Sequence, residues 1–186
     1  MKRLLFVSLM ALAACSQEPV VEEAPVDTAT ESATPQEADD LAVNLDATGL
    51  SLPGTGGEAG MIVPFGSNRA AAEHTLGAVL GEVRDRGGSE ECGAGPMQFT
   101  HYDGVTLNFQ EDRLVGWISD GERYLPDATR GAMGAGGGLT KANGTTLGEE
   151  YYIGPKEGPM ITMIFDGPNE DATVERMWAG TNCIFR

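Results

Sequence analysis

Basic residues are scarce in this 186-residue chain: 12 Lys and Arg stand against 28 Asp and Glu, a formal net charge of −16. Nucleic acid and anionic lipid headgroups repel such a surface, so the composition excludes a nucleic-acid-binding function. Long apolar runs are missing as well. The apolar stretch at residues 4–14 is shorter than the roughly 20 residues that a membrane-spanning helix needs.

That short apolar stretch has the features of a secretory signal peptide. Two basic residues precede it, and it ends in LAAC, which resembles the bacterial lipobox, where maturation enzymes acylate the Cys and cleave before it. We expect residues 1–14 to be a signal peptide and Cys15 to carry the lipid. Ser16, rather than Asp, favours the outer membrane, with the protein facing the periplasm or the cell surface. The alternative is an ordinary signal peptide that happens to have a Cys near its cleavage site.

The segment after Cys15 contains no aromatic residue, and no Lys or Arg occurs between Ser16 and Asn68. Rich in Glu, Pro, Ala and Thr, it has too little apolar surface to offset its ordering entropy. We predict a disordered acidic tether over residues 15–58, extended by its like charges. The stretch LAVNLDATGLSLPGTGGEAG can add a strand against the domain. A docking peptide for a partner is the alternative.

Cysteine is also rare, and after lipidation of Cys15 only Cys92 and Cys183 remain. An even pair in an oxidising compartment predicts a disulfide, which would stabilise the domain by about 4–5 kcal/mol in the chain-entropy model. The alternative, a reactive or metal-binding thiol pair, has neither CxxC spacing nor a nearby His in its favour.

The remaining residues, 59–186, have the length of one globular domain. Asn68 or Ser67 can cap a helix that runs to about Val83, since apolar residues recur there at three- and four-residue steps. Three strands follow, with turns at Asp103-Gly104 and Glu111-Asp112. The predicted fold class is α+β, a small antiparallel sheet with one or two helices packed on it.

The pattern VTLNFQEDRLVGWISDG then returns as ITMIFDGPNEDATVERMWAG, which predicts two degenerate helix-hairpin repeats joined by the disulfide. The helix of the second copy is shortened or lost in LTKANGTTLGEEYYIGP. Between the halves lies the glycine run RGAMGAGGG, interpreted as a flexible linker because no buried strand and helix flank it as in a phosphate loop. The matched positions are Val105, Leu107 and Phe109 with Ile161, Met163 and Phe165, and Trp117 with Trp178.

This layout, with the phrase TLGAVLGEV at the helix end, resembles the small bacterial lipoproteins of the BamE/SmpA and β-lactamase-inhibitor-like group. The resemblance implies a helix leading into an antiparallel sheet and a role in assembly or inhibition. Some chains with a similar layout are described as aspartate-semialdehyde dehydrogenases. The sequence does not support that activity, because it is too short and has no strand-GxGxxG-helix unit.

Residues of the types used in catalysis or metal binding are few and scattered. His101 and Asp103 supply only two ligands, whereas zinc takes three or four. The acidic loop from Asp166 to Glu175 lacks the spacing of an EF-hand. We therefore predict no catalytic residues, no metal site and no cofactor.

Three functions remain open. We favour a lipid-anchored, non-enzymatic envelope protein that binds a protein partner, as an assembly component or an inhibitor. The alternatives are a small-ligand- or cation-binding periplasmic module and a hydrolase with a scattered site. Interface energy concentrates in Trp, Tyr and Arg, so the aromatic side chains, unless they belong to the core, are the candidate anchors: Trp117, Tyr124, Tyr151, Tyr152 and Trp178.

Overall fold

The computed structural model describes residues 43–54 and 60–185. The predicted α+β class is wrong, because these residues form eleven strands in two antiparallel sheets and only two short α-helices. The strands are β1 (Asn44–Asp46), β2 (Gly49–Leu52), β3 (Met61–Pro64), β4 (Asp85–Ser89), β5 (Met97–His101), β6 (Val105–Gln110), β7 (Arg113–Ser119), β8 (Leu139–Lys141), β9 (Glu149–Ile153), β10 (Ile161–Phe165) and β11 (Val174–Gly180). The helices are α1 (Arg69–Leu80) and α2 (Arg130–Ala135), with one 3-10 turn at Glu122–Tyr124.

The small sheet has the order β1-β2-β3 and begins inside the range predicted as a tether. Residues 43–54 of that range contain β1 and β2. Leu50 of β2 lies in the core with no exposed surface, and Val43 is buried too. The strand expected in this transition is thus present as two strands. The rest of the described small sheet, β3, adds Val63 to the same core.

The large sheet has the strand order β4-β5-β6-β7-β11-β10-β9-β8. It consists of two runs of four consecutive strands, β4–β7 and β8–β11, and the last strands of the two runs, β7 and β11, pair with each other. Because α1 precedes the first run and α2 the second, each half is a helix followed by four strands. The predicted repeat unit of one helix and one hairpin is therefore wrong, because each half has four strands rather than two.

Helix α1 follows the sequence prediction closely. The Asn68 side chain accepts hydrogen bonds from the backbone N–H groups of Ala70 and Ala71, and the apolar stripe is buried. The helix ends at Gly81, whose φ of 84° lies in the left-handed region that glycine tolerates. Its inner face therefore joins the core of the sheets.

The second half departs most from the prediction. The glycine run predicted as a linker contains α2, whose first turn is capped by the side chain of Thr129. The segment predicted as a degenerate helix forms β8 and β9. The second correction has a clear cause: the residues of β8 and β9 gain backbone partners across the sheet, which local helical spacing does not reveal.

The two longest hairpins correspond, but their tryptophans do not. Both hairpins carry a bulge at the matched point. Leu107 pairs with Trp117, whereas its counterpart Met163 pairs with Met177, one residue before Trp178. Since side chains alternate along a strand, this one-residue difference places the two tryptophans on opposite faces of the sheet.

In the described ranges, no helix is long and apolar enough to cross a membrane.

Candidate functional site

The large sheet has a covered face and an open face. Leu107 and Trp117 face the core, and the indole N–H of Trp117 donates to the carbonyl oxygen of Asp46 in the small sheet at 2.9 Å. The small sheet and both helices lie on this covered face. The next side chains along the same strands, Thr106 and Ile118, point to the other side, the open face.

One cross-strand row runs over the open face through all eight strands. Its central pair, Ile118 and Trp178, joins the two halves of the sheet, with Thr106 and Thr162 flanking it symmetrically. The six inner positions carry no carboxylate or basic side chain except the imidazole of His101. In order, the row is Asp85, His101, Thr106, Ile118, Trp178, Thr162, Tyr152 and Thr140.

Apolar side chains on the open face do not belong to the core. Phe99, Ile118, Tyr152 and Ile164 are half-buried, and none of them packs against the core cluster. Trp178 is 5 % exposed and also lies outside that cluster. Across residues 43–54 and 60–185, no further helix or strand lies on this side.

The five aromatic residues predicted as anchors separate into different environments. Trp117 is fully buried, and Tyr151 is 7 % exposed; both belong to the core, so neither is an exposed anchor. Tyr124 is half-buried against the same core. Only Tyr152 and Trp178 lie on the open face. Of the five candidate anchors, Tyr152 and Trp178 are therefore the two whose partner-binding role stays a prediction.

The predicted disulfide is confirmed: Cys92 and Cys183 are bonded, with their Cα atoms 5.1 Å apart. The bond fastens residues 181–185 over one end of the open face. Asn108, which is fully buried there, donates its side-chain N–H to the side-chain oxygen of Asn182. A Cβ on Gly116 would lie 2.3 Å from the backbone oxygen of the first tail residue, so glycine is needed for the tail to pass.

A charged network ties α1 to the covered face. The carboxylate of Glu73 accepts hydrogen bonds from Arg69 (2.9 Å), Arg86 (2.9 Å) and Thr100 (2.5 Å). Burial alone would raise the pKa of this carboxyl, but the bonds from Arg86, Thr100 and Arg69 outweigh it and lower the pKa to about 2. Beside it, burial and then the charge of Glu73 raise the pKa of Tyr102.

The second half repeats this arrangement in simpler form. Arg130 opens α2 as Arg69 opens α1, and it donates to the hydroxyl of Tyr151 at 3.1 Å. Lys141 occupies the position of Arg86 in the sheet and pairs with Glu149 at 2.9 Å. The hydrogen bond between them lowers the pKa of Glu149 and raises that of Lys141. The Arg130–Tyr151 bond links α2 to β9, and the Lys141–Glu149 pair links β8 to β9 at the edge of the sheet.

The residues considered for metal binding are engaged elsewhere. His101 contacts the hydroxyl of Thr106 through Nδ1 at 2.9 Å, and Asp103 pairs with Arg84 at 2.9 Å. The carboxylate of Asp166 accepts from the backbone and hydroxyl of Thr173 and so shapes its own loop. In the part of the chain that the structure describes, no three His, Cys, Asp or Glu residues gather as a metal site.

Sequence reasoning missed both the open face and the Glu73 network. The Arg69–Glu73 spacing of four residues was a visible signal for an ion pair on one helix face. The partner Arg86 comes from another element, so no local pattern points to it. The open face depends on the pairing of β7 with β11, whose partners are 60 residues apart.

No family model, no curated protein and no solved structure matches this chain. The signal peptide, Cys15 and residues 16–42 of the predicted tether lie outside the described residues.

Proposed function

We propose that the protein is a lipid-anchored envelope protein that binds a protein partner with the open face of its large sheet and catalyses no reaction. The observation that carries the proposal is the set of half-buried apolar side chains on that face, outside the core. Apolar side chains that gather on one face outside the core are a mark of interaction sites. The lipobox supports the proposed localisation, the outer membrane, with the anchor at Cys15.

The composition of the face suits a non-covalent interface. Its inner row combines aromatic, aliphatic and hydroxyl side chains, and interface cores are similarly poor in charge and rich in aromatics. The chain as a whole carries a formal net charge of −16. A partner with a basic rim around an apolar centre would gain favourable electrostatic steering.

The test replaces Ile118, at the centre of the row, with Lys. Tagged full-length protein is crosslinked in intact cells, solubilised and purified, and bound proteins are identified by mass spectrometry. We expect Ile118→Lys to lose a partner that the wild-type protein recovers, because a buried charge at an interface centre costs several kcal/mol.

The matched control is Ile62→Lys, which makes the same change on β3, where the side chain is 70 % exposed and remote from the open face. This variant should keep the partner. Equal recovery by both variants would contradict the proposed face. Loss by both, with folding intact, would show that the effect of Lys is not specific to the open face and would also contradict the proposal.

A further inference from the structure

A cleft of about 640 Å³ is lined by residues of the large sheet, of the small sheet and of the loop before β10. Trp178 and Thr162 line it from the large sheet, Pro64 and Phe65 from the end of β3, and Pro159 from the loop before β10. Its volume falls in the range of binding sites for small ligands and peptide segments.

No ionisable side chain lines this cleft, although the chain carries a formal charge of −16. A charged ligand group would lose hydration there without gaining an opposite charge. The chemistry of the lining therefore selects a neutral, largely apolar ligand.

Two polar groups on largely buried residues that line the cleft have no hydrogen-bond partner among the described residues. They come from one cross-strand pair: the indole N–H of Trp178, which is 5 % exposed, and the hydroxyl of Thr162, which is 8 % exposed. Both residues line the cleft, and neither of the two polar atoms is fully enclosed by protein. The indole N–H of Trp117, by contrast, is bonded to Asp46. Buried tryptophan N–H groups usually find an acceptor.

The walls that surround these two groups are rigid. Pro64 and Pro159 restrict the backbone at two points of the lining, and the ring of Phe65 packs on Gly180, where a Cβ would lie 2.7 Å from it. Aromatic-lined grooves of this kind take up polyproline II segments, whose backbone carbonyls make no internal hydrogen bonds and are free to accept.

We propose that the cleft binds an uncharged, extended, proline-containing segment of the partner protein, with Trp178 and Thr162 donating to its backbone carbonyls. This inference rests on the proposed function and names the chemistry of the segment that the partner inserts. It makes Trp178 a specificity-determining residue.

Isothermal titration calorimetry of the purified full-length protein tests this assignment. The probe is blocked deca-proline, compared with a blocked decapeptide of alternating Pro and Glu and with monolauroylglycerol as an acyl-chain probe. We expect saturable binding of deca-proline alone. Preference for the acidic peptide or for monolauroylglycerol would overturn the proposal, as would no binding of deca-proline.

Variants make the test specific to the cleft. Met160→Lys places a charge in the lining and should weaken deca-proline binding at least ten-fold, whereas Met61→Lys, at a side chain 56 % exposed outside the cleft, should leave it unchanged. Trp178→Phe keeps an aromatic ring but removes the N–H together with part of the indole volume, so we expect at least a five-fold loss. This conservative variant carries the test if the Lys variant does not fold. Unchanged affinity in Trp178→Phe would overturn the role of its N–H.

The crosslinking experiment separates the two proposals. If deca-proline does not bind but Ile118→Lys still loses its partner, the cleft assignment fails and the open face stands. If deca-proline binds as expected but Ile118→Lys retains every partner, the open face fails as the docking surface.

Discussion

The Glu73 network offers the sharpest test of the electrostatics, through the change Glu73→Gln. The pKa of this carboxyl falls from 4.5 to about 2 in the folded protein. At about 1.4 kcal/mol for each pKa unit, this corresponds to about 3 kcal/mol of stability. Glu73 and Arg69 are 16 % and 17 % exposed, but Arg86 is 54 % exposed and screened by water. We therefore expect Gln to cost about 2 kcal/mol at pH 7.

The pH dependence gives the sign of this contribution. Since the folded pKa lies below the unfolded one, the stabilisation is complete above about pH 4.5 and is lost as the pH falls towards 2. Urea unfolding followed by circular dichroism should show the difference between wild type and Glu73→Gln shrinking over this range.

The matched control is Glu82→Gln, because Glu82 is exposed just after α1 and has no ion-pair partner in the described part of the chain. It should change the free energy of unfolding by less than about 0.5 kcal/mol at pH 7. A Glu73→Gln difference that stays constant from pH 7 to pH 3, or that equals the control, would refute the reasoning.

Three further changes test the construction of the molecule. Cys183→Ser should lower the free energy of unfolding by up to about 4–5 kcal/mol, measured in urea, because it opens a loop of 91 residues; unchanged stability would contradict this. Asn68→Ala should cost about 1 kcal/mol by removing the cap of α1, and Asn68→Asp, which keeps an acceptor, should restore most of it; equal losses in both variants would argue against capping. Cys15→Ser should move the protein from the membrane fraction to the soluble fraction, as judged by immunoblot, and continued sedimentation with membranes would refute the lipid anchor.

The open face and the repeat belong to one architectural feature. Two four-strand runs meet through β7 and β11, so the pair Ile118 and Trp178 lies where the halves join. Because the counterpart of Ile118 is Trp178 itself, the centre of the open face contains one branched and one aromatic side chain.

Local chemistry explains which elements were predictable. Asn68 caps α1 through bonds to residues two and three positions away, and the Glu111-Asp112 turn places two residues at φ of 49° and 56°, as a tight hairpin requires. The second half was mispredicted because α2 is only six residues long and glycine-rich, and because β8 gains its stability from β9. Short elements of this kind depend on partners that no sequence window contains.

By itself, the sequence determined the net negative charge and predicted the disulfide between Cys92 and Cys183, the helix α1 and the hairpin of β6 and β7. Each follows from composition or from interactions between residues close in the chain. Only the tertiary structure decided that the chain is mostly β, that Trp117 enters the core while Trp178 faces the open side, and that Arg86 joins Arg69 on Glu73. The physical reason is that strand order and register depend on contacts between distant segments, and a register difference of one residue exchanges the two faces of a strand.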